Sequence, residues 1–314
     1  MDILIDIMLP VFGVVAFGAV ARRLDWASDG MVDAVARFVF TFAVPALLLR
    51  TVGTTDLPAE PPIGLFASFY LSAAVIFASG MLVARLFFAR PPAGQTLTGM
   101  AFAFGNTVMV GLPIILAAYG EEGALPFFII LAVHGLIYFS TTTLLLEIQQ
   151  GAAGRAGLRA LPRNLAKALV TNPILIGIAL GLAANLSGFG VPGPIERVCE
   201  VMQGAVAPGA LFVLGASLVR YGIRGRVAQA VVVSIAKLVV FPAITFLLAR
   251  YVFDLPRDWV EIATITAGLP VGVMVFVFSQ KYGTGQAISA TSVSLSTVAS
   301  LFTLWGLLTL FLGA

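Results

Sequence analysis

The chain has 314 residues, 60% of them hydrophobic and only 11% charged, with a net charge of +3 and a single cysteine. A soluble protein carries roughly 25% charged residues, so this chain cannot cover a water-facing surface, and a cytosolic enzyme of this length is excluded. Disorder is excluded by the high hydrophobicity, a disulfide framework or cysteine cluster by the lone Cys199, and nucleic-acid binding by the small, scattered positive charge.

A membrane-crossing helix needs about 20 mostly apolar residues. Reading from one cluster of charges or Gly/Pro residues to the next gives ten such stretches. They run over 3–21, 32–52, 63–88, 96–119, 124–147, 169–187, 195–219, 228–253, 259–280 and 286–312. All exceed the roughly ten-residue alternating strands of a membrane barrel. The first reads as a mature helix, because Asp2 and Asp6 stand where a signal peptide carries positive charge. The connection over 148–168 is the longest, basic and Gly-rich at its start, and it divides the chain near its middle.

Lys and Arg set the orientation. Loops after odd-numbered stretches hold twelve of them, loops after even-numbered stretches four, and Arg37 and Lys237 fall inside predicted helices. This predicts a multi-pass protein of the plasma (inner) membrane with odd loops in the cytoplasm and both termini outside.

The two halves resemble each other. Gly111-Leu112-Pro113 and Gly268-Leu269-Pro270 share a tripeptide 157 residues apart, and each is followed by an apolar run ending at Tyr119-Gly120 or Tyr282-Gly283. Pro10 and Pro173, Gly18 and Gly181, and Pro45 and Pro208 are each separated by 163. The expected organisation is a first five-helix repeat over 1–147, a cytoplasmic linker over 148–168 and a second repeat over 169–314. Five is odd, so the second repeat enters the membrane from the opposite side. Inverted repeats are the architecture of secondary transporters, with substrate held near the midplane by interrupted helices.

The interrupted stretches are the fourth, AFAFGNTVMVGLPIILAAYG, and the ninth, EIATITAGLPVGVMVFVFSQKYG. Proline inside a helix removes a donor and frees backbone groups, which in lipid survive only where protein or a wet cavity satisfies them. Gly111 and Gly268 permit an unwound stretch before Pro113 and Pro270. The half-helix that follows each break presents free N–H groups and a positive dipole end. Two such ends, with Val271 and Gly272 completing the second break, make a site for an anion without any arginine. Two ordinary proline kinks are the plain alternative.

Asn106 and Thr107 lie one to two turns before the expected first break, and an asparagine deep in an apolar span is costly. It contacts substrate or hydrogen-bonds another helix. Thr264 and Thr266 occupy the matching region of the ninth stretch, where threonine more often bonds its own backbone. Lys237, in the middle of the eighth stretch, either meets a substrate carboxylate, replaces a sodium ion, carries a coupled proton or pins exposed carbonyls of a crossing helix. His134, in the fifth stretch, is either a packing residue or a proton carrier.

Acidic residues stay near predicted helix ends or in loops, with Glu147, Glu200 and Glu261 the deepest. A cation/proton antiporter or an intramembrane aspartyl protease needs a midplane carboxylate. No H-E-x-x-H occurs, and no catalytic constellation, metal site or cofactor motif emerges from one histidine and one cysteine.

GNTVMVGLP with Tyr119-Gly120, and LPVGVMVFVFSQKYG, resemble the crossover motifs of the auxin efflux carrier family. FVFTFAVPALLL, Asn172-Pro173 and APGALFVLGASL resemble other segments of the same family, so the likeness spans the chain. It implies an all-α polytopic fold of NhaA and bile-acid-transporter type. Ten transmembrane helices form two inverted five-helix repeats, with Pro-broken helices four and nine crossed at Pro113 and Pro270. It further implies Asn106 at the substrate, and a homodimeric scaffold of helices one, two, six and seven carrying Pro45 and Pro208. Helices three to five and eight to ten move against that scaffold as an elevator. The long cytoplasmic loop of plant members is absent, and the third stretch has no acidic residue before Arg85, so an acidic support site and auxin itself are not implied. The expectation is a secondary transporter of small mono- or dicarboxylates embedded in the bilayer. A sodium-coupled bile-acid-type symporter and a non-transporting sensor or channel are the alternatives.

Overall fold

The computed structural model describes residues 4–58, 60–149, 155–223 and 225–313. Arg224 and the glycine-rich start of the central connection lie outside them. Among the described residues the chain is helical, and its only strand-like feature is one antiparallel bridge between Gly105 and Val271. Seven helices are long and apolar enough to cross a membrane: Ile5–Arg23, Asp29–Thr54, Ile63–Leu86, Leu125–Gln149, Gly193–Arg220, Val227–Val252 and Gln286–Leu312.

The other three predicted stretches depart from a single straight helix, each for a local reason. The fourth and ninth are broken. The sixth is short, Pro173–Leu186, because Pro173 cannot continue a helix from upstream and Asn172 caps the new one, its Oδ1 accepting from the Ile174 N–H at 2.9 Å. The central connection is also not a simple loop. Arg155–Thr171 is a helix, and Leu125–Gln149 runs past the expected boundary at 147. Its exposed Arg159, Arg163 and Lys167 follow one another at helical i, i+4 spacing.

The chain forms two compact units. The first comprises Met1–Pro61, Val108–Ala132 and Ala166–Arg220; the second comprises Pro62–Thr107, Val133–Leu165 and Tyr221–Ala314. In the first unit, helices approach at glycines. A side chain at Gly18 would strike the carbonyl of Phe212, and one at Gly181 the carbonyl of Leu49. Small residues let helix backbones meet in this way, which matters where lipid gives apolar side chains no reason to leave it. The residues of the two contacts, Gly18 with Phe212 and Gly181 with Leu49, correspond at a separation of 163.

The same separation runs through the secondary structure. Helices begin at Leu9 and Pro173, at Asp29 and Gly193, at Ile63 and Val227, at Pro92 and Arg257, and at Leu125 and Gln286, spaced by 161 to 165 residues. Gly120 and Gly283, also 163 apart, both adopt positive φ, 69° and 65°. In this register Gly105 matches Gly268. The shared Gly-Leu-Pro tripeptides, 157 apart, are therefore not structural equivalents.

Candidate functional site

In the second unit the half-helix Pro92–Ala103 stops where Phe104 turns extended, with φ −79° and ψ 113°. The half-helix Arg257–Ala267 stops at Gly268, with φ −78° and ψ 0°. The two broken segments then satisfy each other. The Asn106 N–H donates to the Pro270 carbonyl at 2.8 Å, and the Gly272 N–H donates to the Phe104 carbonyl at 2.9 Å. The Val271 N–H donates to Ser296 Oγ at 3.0 Å. Unpaired backbone groups in an apolar interior cost several kcal/mol, and this short bridge removes that cost at the point where both helices are open.

Each half-helix also ends on a carbonyl held by a side chain. Tyr138 Oη donates to the Ala103 carbonyl at 3.1 Å, and Lys237 Nζ donates to the Ala267 carbonyl. Lys237 is fully buried, its ammonium 4.9 Å from the centre of the Phe241 ring. A π-helical turn over Ala236–Val240 carries it, the kind of local widening that recurs at functional positions. A side chain at Gly105 would come within 3.3 Å of Lys237 Nζ, so the ammonium lies against the bridge itself. The positive charge there meets the negative end of one half-helix, as the helix dipole favours.

His134 is buried among aromatic rings, with centroids 5.0 Å from Phe104, 4.7 Å from Tyr138 and 6.0 Å from Phe69. Among the described residues neither of its ring nitrogens makes a well-formed hydrogen bond. Asn106 and Thr107 are buried, as is the whole run from Glu261 to Gly272. Thr264 and Thr266 bond the carbonyls of Val260 and Ile262 in their own helix, at 2.7 and 2.6 Å. Glu261, buried and ion-paired with Arg257 at 2.7 Å, belongs to the start of that helix.

The structure thus brings together Asn106, Thr107, Gly268, Pro270, Val271, Gly272, Lys237 and His134 in one unit. It does not add Gly111 and Pro113. The first break falls at Phe104–Asn106, not at Gly111-Leu112-Pro113 as the sequence suggested, and Asn106 lies within it rather than a turn or two before it. Gly111 is helical, with φ −63° and ψ −51°. Pro113 is the second residue of Leu112–Gly123, where a proline is tolerated because first-turn N–H groups lack helical acceptors and the preceding turn, Thr107–Gly111, is π-helical. Both residues belong to the first unit. Pro45 and Pro208 lie in that unit too, near the starts of Val44–Thr54 and Val206–Tyr221. Tyr138, Ser296 and Gly105 escape a residue-by-residue reading; only the 163-residue register, matching Gly105 to Gly268, points to one of them.

A family model described as a membrane transport protein matches residues 3–308. The chain belongs to the auxin efflux carrier family. It is therefore a membrane transporter and not an enzyme. A protein of Rhizobium meliloti (strain 1021) named "Putative malonate transporter" is 28% identical over 307 residues, covering 96% of this chain and 94% of that one. Auxin efflux carrier component 8 of Arabidopsis thaliana is 24% identical over 328 residues, covering 87% of each chain. An uncharacterized transporter of Methanocaldococcus jannaschii is 26% identical over 208 residues, 64% of each.

Proposed function

We propose that this transporter carries small organic anions, mono- or dicarboxylates such as malonate, and binds a substrate carboxylate where its two helix breaks meet. The observation that carries this reading is the Gly105–Val271 bridge with the Lys237 ammonium against it. It combines an asparagine, irregular backbone, a helix start at Met274 and one buried positive charge in a family of transporters. Asn106 and Thr107, with the backbone of Gly268 to Gly272, are the substrate ligands in this reading. Lys237 balances the carboxylate, and His134 is the remaining candidate for a coupled proton. The name of the Rhizobium relative agrees with a dicarboxylate.

The same reading takes the chain as ten membrane helices in two inverted five-helix repeats, supported by the nearly even spacing of the helix starts, 161 to 165 residues. Helices one, two, six and seven form a homodimeric scaffold, and helices three to five and eight to ten carry the substrate as an elevator. The first unit contains those four scaffold helices together with residues 108–132. In the same reading the protein lies in the plasma membrane, and the distribution of Lys and Arg supports both termini outside.

The test is transport by the purified protein in liposomes, with a panel of carboxylates under separate sodium and pH gradients. Saturable uptake and counterflow of malonate, with none of its neutral diamide, is expected. Movement of neutral solutes alone sinks the anion reading. A strict sodium requirement turns it into a bile-acid-type symporter, and binding without counterflow into a sensor.

A further inference from the structure

At the other end of the half-helix Pro92–Ala103 from the bridge, positive charges gather with no carboxylate among them. Arg90 precedes this helix, and its guanidinium lies over the starts of two helices. A side chain at Gly94 would come within 3.1 Å of its Nε, and one at Gly285, the residue before the helix Gln286–Leu312, within 3.3 Å of its Nη2. Its Nε is buried and makes no hydrogen bond among the described residues. Burial first, and then the charge of Arg226 at the start of the helix Val227–Ile235, hold the Arg90 guanidinium below its ordinary pKa. Among the described residues neither arginine has an acidic partner within salt-bridge distance. The Arg90 guanidinium and the two helix starts beneath it are all positive, a combination that favours an anion among them.

A second observation points to where that anion goes. A cavity of about 10 Å³ shares Gly94 and Gly285 with the surroundings of Arg90 and is otherwise lined by Thr98, Ser289, Ser292 and four apolar side chains. Ser292 is fully buried, and its hydroxyl has no hydrogen-bond partner among the described residues. Buried hydroxyls are nearly always bonded, and a space of this size admits about one oxygen atom. Thr98, by contrast, is satisfied by the Gly94 carbonyl at 2.8 Å.

We propose that this end of the second unit is an anion-binding site for a carboxylate or phosphate group, with Arg90 supplying charge and Ser292 a buried hydroxyl for one of its oxygens. It is distinct from the helix bridge, since Gly94 and Phe104 are ten residues apart, about 15 Å of helix. The site collects anions at one mouth of the transport unit, and its occupant is either a soluble carboxylate or the phosphate of a lipid headgroup.

The experiment follows the melting temperature of the purified full-length protein in neutral detergent during titration with sodium phosphate, which is not a carboxylate substrate of the bridge, against sodium chloride at matched ionic strength. Phosphate is expected to raise it saturably. Arg90→Gln abolishes the rise, Arg90→Lys keeps part of it, and Ser292→Ala weakens apparent affinity roughly tenfold, the loss of one hydrogen bond to a charged group. Asn106→Ala leaves the rise intact, which separates this site from the one at the bridge. An equal effect of chloride, a wild-type response in both Arg90→Gln and Ser292→Ala, or loss of the response in Asn106→Ala overturns the proposal. Repeating the phosphate titration in nanodiscs of phosphatidylcholine with and without phosphatidic acid assigns the source. A headgroup occupant makes phosphatidic acid abolish the rise, whereas a soluble occupant leaves it.

Discussion

The Asn106 N–H donates to the Pro270 carbonyl at 2.8 Å, joining the two helix breaks through main chain alone. That bond does not depend on the asparagine side chain. Asn106→Ala is expected to leave the melting temperature within a few degrees of wild type while weakening malonate transport. Loss of one hydrogen bond to a charged group is about 1.5–3 kcal/mol, which corresponds to a KM raised roughly ten- to a hundredfold. An unchanged KM in proteoliposomes removes Asn106 from the substrate.

Lys237 and Tyr138 hold equivalent points, the carbonyls that end the two first half-helices, but with different chemistry. An ammonium–carbonyl bond is charge-assisted and roughly twice as strong as a neutral one. Lys237→Met keeps the apolar stem and leaves the Ala267 carbonyl buried without its partner. It is expected to lower stability by about 1–3 kcal/mol and to reduce transport of the anion at least tenfold. Tyr138→Phe removes one neutral bond, about 1 kcal/mol, and keeps most transport. Equal transport defects in the two variants mean that the ammonium serves only as a cap.

Much of this arrangement is legible in the sequence because lipid makes rules strict. Runs of apolar residues mark helices, and a lysine or asparagine within them must be accommodated by something specific. The break in the ninth stretch is legible at Gly268 and Pro270 for the same reason. The break in the fourth is displaced because Phe104-Gly105-Asn106 contains no proline, while Pro113, which does, sits harmlessly in a first helical turn. What ends the half-helix there is tertiary. The bonds to Pro270 and Gly272 and the Tyr138 hydroxyl come from segments remote in sequence. The helix over Arg155–Thr171 is hidden for a different reason: its polar composition carries no membrane signal, and its one proline, Pro162, reads as a breaker.

Gly120 and Gly283 end the two post-break segments at positive φ, and Gly120, with ψ −175°, lies where essentially only glycine goes; such backbone costs an L-residue roughly 1–3 kcal/mol. No other heavy atom lies within 4 Å of where either side chain would begin, so an alanine there tests backbone alone. Gly283→Ala is expected to destabilise by about 1 kcal/mol and Gly120→Ala by about 2 kcal/mol or more, with the double variant close to their sum because the positions share no neighbour. Melting temperatures of the purified variants check this. A neutral effect at both positions means that the chain relaxes to another turn.

Arg50 ties three helices of the first unit at one point. Its Nη1 donates to Glu121, which follows Gly120, and to Gln203 Oε1 at 3.3 Å. Gln203 Nε2 in turn donates to Glu121 Oε1 at 2.9 Å, and Glu196 stands 3.8 Å from Arg50 Nε. The Arg50 side chain is 21% exposed and that of Glu121 37%, so screening reduces the charge interaction but does not erase it. Arg50→Gln leaves Glu121 and Glu196 without their cation and is expected to cost about 1–2 kcal/mol. Glu121→Gln keeps an acceptor for the guanidinium and costs less. In a double-mutant cycle the two substitutions should couple by at least about 0.5 kcal/mol. Additive effects on the melting temperature mean that the contact holds nothing, and that the helix beginning at Leu112 is fixed instead by the packing of its buried Leu112, Ile114 and Ile115.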